Sequence, residues 1–206
     1  MRKKKYDLVT LANVFGVSYN KEVLQLIKQG CKEVLNISEA DFERKFYKVP
    51  LPKKVKSNAH VGGNYRSSGG DGNSGRSYRT PTADALLEEW YRSRDPHWLY
   101  SHPEYFWEGL ACSFETSAPF VCVNLVKEIK YPRYDRHDPI DPASLQWNIF
   151  DWGAGVGLTT LILAKSFPQS TVYYNELNVE QLTLFKWLLQ KSGLTNVRIN
   201  DDLEQL

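Results

Sequence analysis

The sequence is poor in sulfur-containing residues and has no long hydrophobic run. Its three cysteines, Cys31, Cys112 and Cys122, form no CxxC pair and leave an odd count. This pattern is typical of free, buried thiols in a reducing compartment, so we expect a cytoplasmic protein without a structural zinc or other metal site. Polar residues interrupt the apolar ones soon after the basic cluster at residues 2–5. We therefore expect neither a signal peptide nor a membrane span.

The net charge is close to zero, although the chain contains many charged residues. The chain of 206 residues carries 26 Lys and Arg against 24 Asp and Glu, and 42% of its residues are hydrophobic, as in a globular protein. The two signs are separated, because residues 1–56 carry +7, residues 57–82 carry +2 and residues 83–206 carry −7. This separation favours a basic module for a polyanion joined to an acidic body, with a merely soluble basic surface as the alternative.

The segment between these two parts almost lacks aliphatic side chains. Residues 57–82 contain six Gly and five Ser. Ordering such a segment costs backbone entropy and buries little, so we predict a flexible linker. The predicted domains are a basic helical module at 1–56, this linker, and an aromatic helical cap with an incomplete Rossmann-like α/β unit at 83–206.

Apolar residues of the basic module recur at helical spacing. The pattern predicts helices over residues 7–15 and 20–29, ended by Gly16 and Gly30. A third helix is predicted to start after a capping serine, Ser38.

The stretch LANVFGVSYNKEVLQLIKQG in this module resembles the helix-turn-helix of excisionase- and MerR-type winged-helix proteins. The run from 32 to 46 resembles the wing and final helix of such domains. The resemblance implies that the module binds nucleic acid through its second helix. The residues that would face a groove or the phosphates are Tyr19, Asn20, Lys21, Gln25, Lys28 and Lys32.

Aromatic residues are dense over residues 83–131, where helical spacing is clear in ALLEEWYRS and extends over 103–112. We expect most of these rings to pack helices onto a sheet, with an aromatic cage for a substrate as the alternative. Three histidines, His97, His102 and His137, are candidates for a general base, but only because of their residue type. The first two lie within this stretch and the third follows it. No catalytic residue is assigned.

The strongest pattern begins at residue 147. An apolar run ending in Asp151 precedes the glycine-rich string GAGVG at 153–157 and a helical pattern over LTTLILAKSF. Strand patterns at 171–174 and 196–200 flank a helix predicted over 179–192. The order indicates a βαβαβ unit, whose glycines allow a ligand close to the first turn. Glu176, at the end of the second strand, is placed to accept hydrogen bonds from ribose hydroxyls.

The string DWGAGVG with the later acid resembles the first two motifs of class I S-adenosylmethionine-dependent methyltransferases, over residues 147–202. A dinucleotide fingerprint fits less well, because its third glycine would fall at Leu158. The resemblance implies S-adenosylmethionine as cofactor. Asp151 would approach its amino-acid part, Glu176 its ribose and an acid after the third strand its adenine. The implied cofactor-binding residues are Asp151, Gly153, Ala154, Gly155, Gly157, Glu176, Asp201 and Asp202.

The methyltransferase family continues beyond three strands, whereas this chain stops at Leu206. We expect a truncated chain, with strands supplied in permuted order or by a partner chain as alternatives. Candidates for permuted strands are residues 8–12, 33–37 and 120–126. Two functions remain open. One is methyl transfer to an unidentified acceptor such as a nucleic acid, and the other is a helix-turn-helix regulator with a non-catalytic methyltransferase-like remnant.

Overall fold

The computed structural model describes residues 9–47, 88–89, 91–93, 100–118 and 141–200. These residues form a mixed α/β fold with a three-stranded parallel sheet. The helices are α1 (Leu11–Phe15), α2 (Asn20–Leu35), α3 (Glu39–Phe46), α4 (Pro103–Cys112), a π-helical turn (Ser113–Ser117), a 3-10 turn (Pro142–Ser144), α5 (Leu158–Ser166) and α6 (Val179–Ser192). The strands are β1 (Asn148–Trp152), β2 (Thr171–Asn175) and β3 (Val197–Ile199).

The βαβαβ unit expected from the sequence is confirmed. The strands lie in the order β1-β2-β3 with parallel pairing, and Phe150, Tyr173 and Arg198 form one row across them. Side chains alternate between the faces of a sheet. One face is covered, because Val172 and Tyr174 are fully buried and the Tyr174 ring stacks on Phe185 of α6. On the other face, which we call the open face, Phe150 is 52% exposed.

Local signals define α6, the helix between β2 and β3. The Asn178 side chain caps its start by accepting a hydrogen bond from the Gln181 N–H at 2.8 Å. Gly193 ends it with a φ of 67°, in the left-handed region that glycine adopts without strain. The sequence prediction of residues 179–192 is therefore confirmed at both ends.

The prediction that α2 ends at Gly30 is wrong, because the helix continues to Leu35. Gly30 lies inside the helix where it packs on α6. A β-carbon at this position would lie 2.8 Å from both Leu184 Cδ1 and Trp187 Cε3. The glycine therefore permits close approach of two helices, and it does not act as a helix terminator.

The helices of residues 9–47 share one hydrophobic core with the helices that cover the sheet. Ile27 and Cys31 of α2 are fully buried, and Glu33 accepts a hydrogen bond from the Trp187 indole N–H at 2.9 Å. Burial raises the pKa of the Cys31 thiol to about 12. The predicted linker at 57–82 lies outside the described residues, so the domain boundaries stay a prediction.

Other expectations for the first module are corrected in part. Ser38 caps α3, as predicted, by accepting from the Asp41 N–H at 3.1 Å. The first helix, expected over 7–15, starts only at Leu11, after the cap residue Thr10. The range 32–46 contains no wing, although the helix expected at its end is present as α3. The permuted strands expected at 8–12 and 33–37 are wrong, because the described residues there are helical or in short connections. The third candidate strand, 120–126, lies outside the described residues.

None of the helices within the described ranges combines the length and apolar character that crossing a membrane requires.

Candidate functional site

The turn that joins β1 to α5 takes its shape from three glycines. Gly153, Gly155 and Gly157 have φ angles of 60°, 59° and 70°. Other L-residues are strained in this left-handed region, so the backbone path favours glycine at each position. The Gly157 N–H closes the turn by donating to the Ala154 carbonyl at 3.0 Å. The turn therefore presents mainly backbone to its surroundings.

The three glycines have different neighbours. A β-carbon on Gly157 would overlap the Phe185 ring, so this glycine allows α5 and α6 to pack. A β-carbon on Gly155 would meet Ser113 Oγ at 3.2 Å and Gln181 Oε1 at 3.4 Å. Nothing lies within 4 Å of the same position on Gly153. Of the three, only Gly153 borders open space that a ligand can enter.

Glu176 follows β2 and ties the end of that strand to the glycine turn. Its Oε2 accepts a hydrogen bond from the Gly155 N–H at 2.8 Å. Its Oε1 accepts from the Leu177 N–H at 2.8 Å and from the Asn178 N–H at 2.9 Å. The residue is only 5% exposed, and these three bonds compensate its burial.

The same bonds limit how Glu176 can serve a ribose. A carboxylate offers about four lone-pair positions, and backbone N–H groups occupy three of them. The remaining position, on Oε2, can accept one further hydrogen bond. A second hydroxyl bond requires displacement of the Gly155 N–H. Glu176 is thus both a structural link and a candidate ligand acceptor.

Asp151 lies on the covered face of β1, close to its end. The Thr160 hydroxyl of α5 donates to Asp151 Oδ2 at 2.6 Å. Burial raises the pKa of Asp151, and the negative charge of Glu176 adds to this rise, whereas the Thr160 hydrogen bond opposes it. The site therefore holds two carboxyl groups, and the charge of Glu176 acts on Asp151.

Tyr174 supports the glycine turn through a hydrogen bond to its backbone. Its hydroxyl donates to the Gly155 carbonyl at 2.7 Å, and its ring lies 3.7 Å from the Phe185 ring, centroid to centroid. Burial raises the pKa of Tyr174, with smaller contributions from the charges of Glu176 and Asp151. The phenol therefore stays protonated and keeps its role as a donor.

Residues just before and within α4 cover the Glu176 end of the site. The Tyr100 carbonyl accepts from Asn178 Nδ2, and the Tyr105 carbonyl accepts from Gln181 Nε2 at 3.2 Å. The two tyrosine rings pack edge to face with centroids 5.3 Å apart. Burial raises the pKa of both phenols, and the charge of Glu176 raises it further.

The sequence predicts packing onto the sheet, or an aromatic cage, for the stretch that contains Tyr100 and Tyr105, but it assigns no site role to Gln181. A usable signal exists for Gln181, which occupies the apolar stripe of α6 at helical spacing with Leu184, Phe185 and Leu188. An amide at such a position is buried among apolar neighbours and needs polar partners. Ser113, Tyr100 and Tyr105 carry no comparable signal, because their partners lie far away in the sequence.

The site residues predicted from the sequence fall in three places. Asp151, the glycine turn and Glu176 come together at the carboxyl end of the sheet, whereas Asp201 and Asp202 lie outside the described residues. The proposed groove-facing residues Tyr19, Asn20, Lys21 and Gln25 are exposed on α2 or at its start. Lys28 forms an ion pair with Glu43, and its side chain is 10% exposed.

Of the three histidine candidates, the structure describes only His102. His102 caps α4, because its Nδ1 accepts a hydrogen bond from the Glu104 N–H at 3.2 Å. His97 and His137 lie outside the described residues.

Comparison with known proteins finds no family model, no curated protein and no solved structure that matches this chain.

Proposed function

We propose that the protein binds S-adenosylmethionine at the carboxyl end of a Rossmann-like half-sheet and transfers its methyl group to an acceptor. The observation that carries the proposal is the 2.8 Å hydrogen bond from the Gly155 N–H to Glu176. It joins a turn of left-handed glycines after β1 to a carboxylate after β2. Nucleosides bind where such a turn and acid meet at the carboxyl edge of a parallel sheet.

The residues present fit this cofactor. Gly153 borders open space on its side-chain side, and Glu176 keeps one acceptor position for a ribose hydroxyl. Leu177, next to Glu176, is 45% exposed and offers an apolar surface to a planar base. Asp151 supplies a carboxyl for the amino-acid part. The cofactor brings an already activated methyl group, so these residues need only bind and orient it.

Isothermal titration calorimetry with S-adenosylhomocysteine, the demethylated product, tests the proposal. We expect binding by the full chain and a loss of at least tenfold in affinity for Glu176→Gln. The amide loses the charge and one acceptor oxygen, so it satisfies the three backbone N–H groups poorly. Glu180→Gln, at an exposed acid on α6, is the matched control and should bind normally. Absence of binding by the folded wild-type chain rejects the proposal.

A partner chain that completes the sheet belongs to the same proposal. Among the described residues only β2 pairs with β1, which leaves the other edge of β1 without a strand. Trp152 and Phe150 of β1 are 57% and 52% exposed on the open face. An unpaired edge beside exposed aromatic rings favours addition of a further strand. Sedimentation velocity with and without a candidate partner measures such association.

We infer a second candidate function, binding of duplex DNA, from the start of α2. Tyr19 is 64% exposed, and the Lys21 ammonium lies 5.6 Å from the centre of its ring. A mobility-shift titration of the full chain should show salt-dependent binding that Lys21→Glu weakens. Lys165→Glu, at an exposed lysine on α5, is the control for net charge. Equal loss in both variants, or no shift at low salt, rejects this function.

A further inference from the structure

The outer edge of β1, on the side away from β2, pairs with no strand among the described residues. The Thr171 N–H donates to the Trp147 carbonyl at 2.8 Å, so Trp147 directs its carbonyl toward β2. Successive residues of a strand direct their backbone groups to opposite sides. The N–H and C=O groups of Asn148, Phe150 and Trp152 therefore point to the outer edge.

The two edge strands of the sheet differ in how far they resist pairing. β3 has only three residues, and its Arg198 is exposed in the same row as Phe150 on the open face. Short edge strands and charged side chains are common protections against the addition of another strand. β1 has five residues, and none of its open-face side chains, Asn148, Phe150 and Trp152, is charged. Its edge therefore lacks both protections.

The aromatic stack on the open face runs across the strands. The Phe150 and Tyr173 rings lie 10° from parallel with centroids 4.7 Å apart. Neighbouring strands are separated by about the same distance, roughly 4.7–4.9 Å. Tyr173 covers one side of the Phe150 ring, and the other side faces the outer edge of β1. A ring in the same row of an added strand would extend this stack.

A second copy of β1 supplies such a ring. Identical strands related by a two-fold axis pair in antiparallel fashion, and directly opposite side chains then point to the same face. With Phe150 opposite itself, Asn148 of one copy lies opposite Trp152 of the other. Every outward-directed N–H and C=O of these residues then obtains a partner. Pairing centred on either end of β1 would leave part of the edge unpaired.

Charge does not oppose this register. On the covered face Ile149 of one copy lies opposite Asp151 of the other, so the two Asp151 carboxyl groups do not face each other. Like charges directly opposite would be destabilising. The two Arg198 side chains lie on β3, at the far ends of the joined sheet.

We propose that two copies of the chain associate by antiparallel pairing of their β1 strands, centred on Phe150, so that two three-stranded sheets become one. The inference rests on that part of the proposed function in which a partner chain completes the sheet, and it requires no cofactor. The edge is five residues long. Small contacts are typical of weak complexes, so we expect a dimer that dissociates at micromolar concentrations.

Sedimentation equilibrium of the full chain without cofactor tests the association. Phe150→Ala removes the central ring, and Asn148→Pro removes an outward-directed N–H at the first residue of the strand, where proline is tolerated. We expect each change to weaken dimerisation by about tenfold or more. Tyr19→Ala, which removes an exposed ring outside the sheet, is the control and should dimerise normally. Asn148→Pro keeps the test valid if Phe150→Ala unfolds, because it leaves every ring in place.

A mixture of Asn148→Cys and Trp152→Cys tests the register. Opposite residues that exchange hydrogen bonds have α-carbons about 5.5 Å apart, within the range that a disulfide spans. Mild oxidation of the mixture should link the two variants. Either variant alone should not link to itself, because its two cysteines lie about 13 Å apart along the strands. The wild-type chain sets the background, since Cys112 is exposed.

A chain that stays monomeric at all concentrations overturns the inference and favours another occupant of this edge, such as the strand expected at 120–126. A dimer that both β1 variants leave unchanged, or equal cross-linking in the mixture and in the separate variants, overturns it as well. Calorimetry with S-adenosylhomocysteine is independent of these results. A monomer that binds this ligand loses only the dimer, and a dimer that does not bind it loses only the cofactor.

Discussion

The two faces of the sheet place neighbouring residues of one strand in opposite environments. On the covered face Val172 and Tyr174 are fully buried beneath helices. On the open face Phe150 stacks on Tyr173 with ring centroids 4.7 Å apart, yet remains 52% exposed. The described fold thus depends on one face for its packing. The other face carries large aromatic rings that contribute little to that core.

The largest expected effect comes from placing the same charge on each face. Val172→Lys buries an ammonium in a fully buried position, at a cost of several kcal/mol, so we expect loss of the folded state. Phe150→Lys places the charge where it reaches water and should cost about 1 kcal/mol, mainly from the lost ring stack. Urea unfolding followed by circular dichroism measures both. Similar losses in the two variants would show that the open face is covered in solution.

Alanine substitutions at two glycines separate the cost of steric overlap from the cost of backbone strain. Gly157→Ala combines a left-handed φ of 70° with overlap of the Phe185 ring, and we expect a loss of about 3 kcal/mol. Gly193→Ala has a similar φ of 67° and nothing within 4 Å, so it should lose only about 1 kcal/mol. The difference between their unfolding free energies measures the overlap. Equal values would mean that Phe185 moves aside freely.

The smallest expected effect concerns Asp151, the acid on the covered face. Its pKa is raised by burial and by Glu176, so the carboxyl favours the fold while it is protonated. This contribution is complete below the ordinary Asp pKa and is lost as the pH rises through the raised pKa. Asp151→Asn should therefore raise the melting temperature at pH 7 by about 2–4 °C.

The gain should shrink below about pH 4, where Asp151 is protonated in both states. Melting curves of both proteins at pH 7 and at pH 3.5 provide the comparison, with the exposed Asp141→Asn as control. A gain independent of pH would contradict a raised pKa.

The sequence predicts the structure best where the determining contacts are local. The cap at Asn178 and the stop at Gly193 lie within a residue of α6, so its bounds follow from neighbouring residues alone. The glycine string and Glu176 were also recognisable, because strand, turn and helix follow one another without interruption.

The sequence predicts the structure poorly where a contact joins distant residues. Gly30 has the local signature of a helix end, but its actual reason is the approach of Leu184 and Trp187 from α6. Glu176 was predicted as a ribose acceptor, whereas its backbone bonds, which leave it one acceptor position, emerge only in three dimensions.

The burial of Cys31 in the core gives the molecule a built-in chemical probe. Its thiol is fully buried and its pKa is raised to about 12, so almost no thiolate forms at neutral pH while the core around α2 stays closed. Cys112, at the end of α4, is exposed. Alkylation at Cys31 therefore reports the opening of the core around α2. Alkylation at Cys112 provides a reference rate for the closed molecule, so the two rates give the frequency of opening without any substitution.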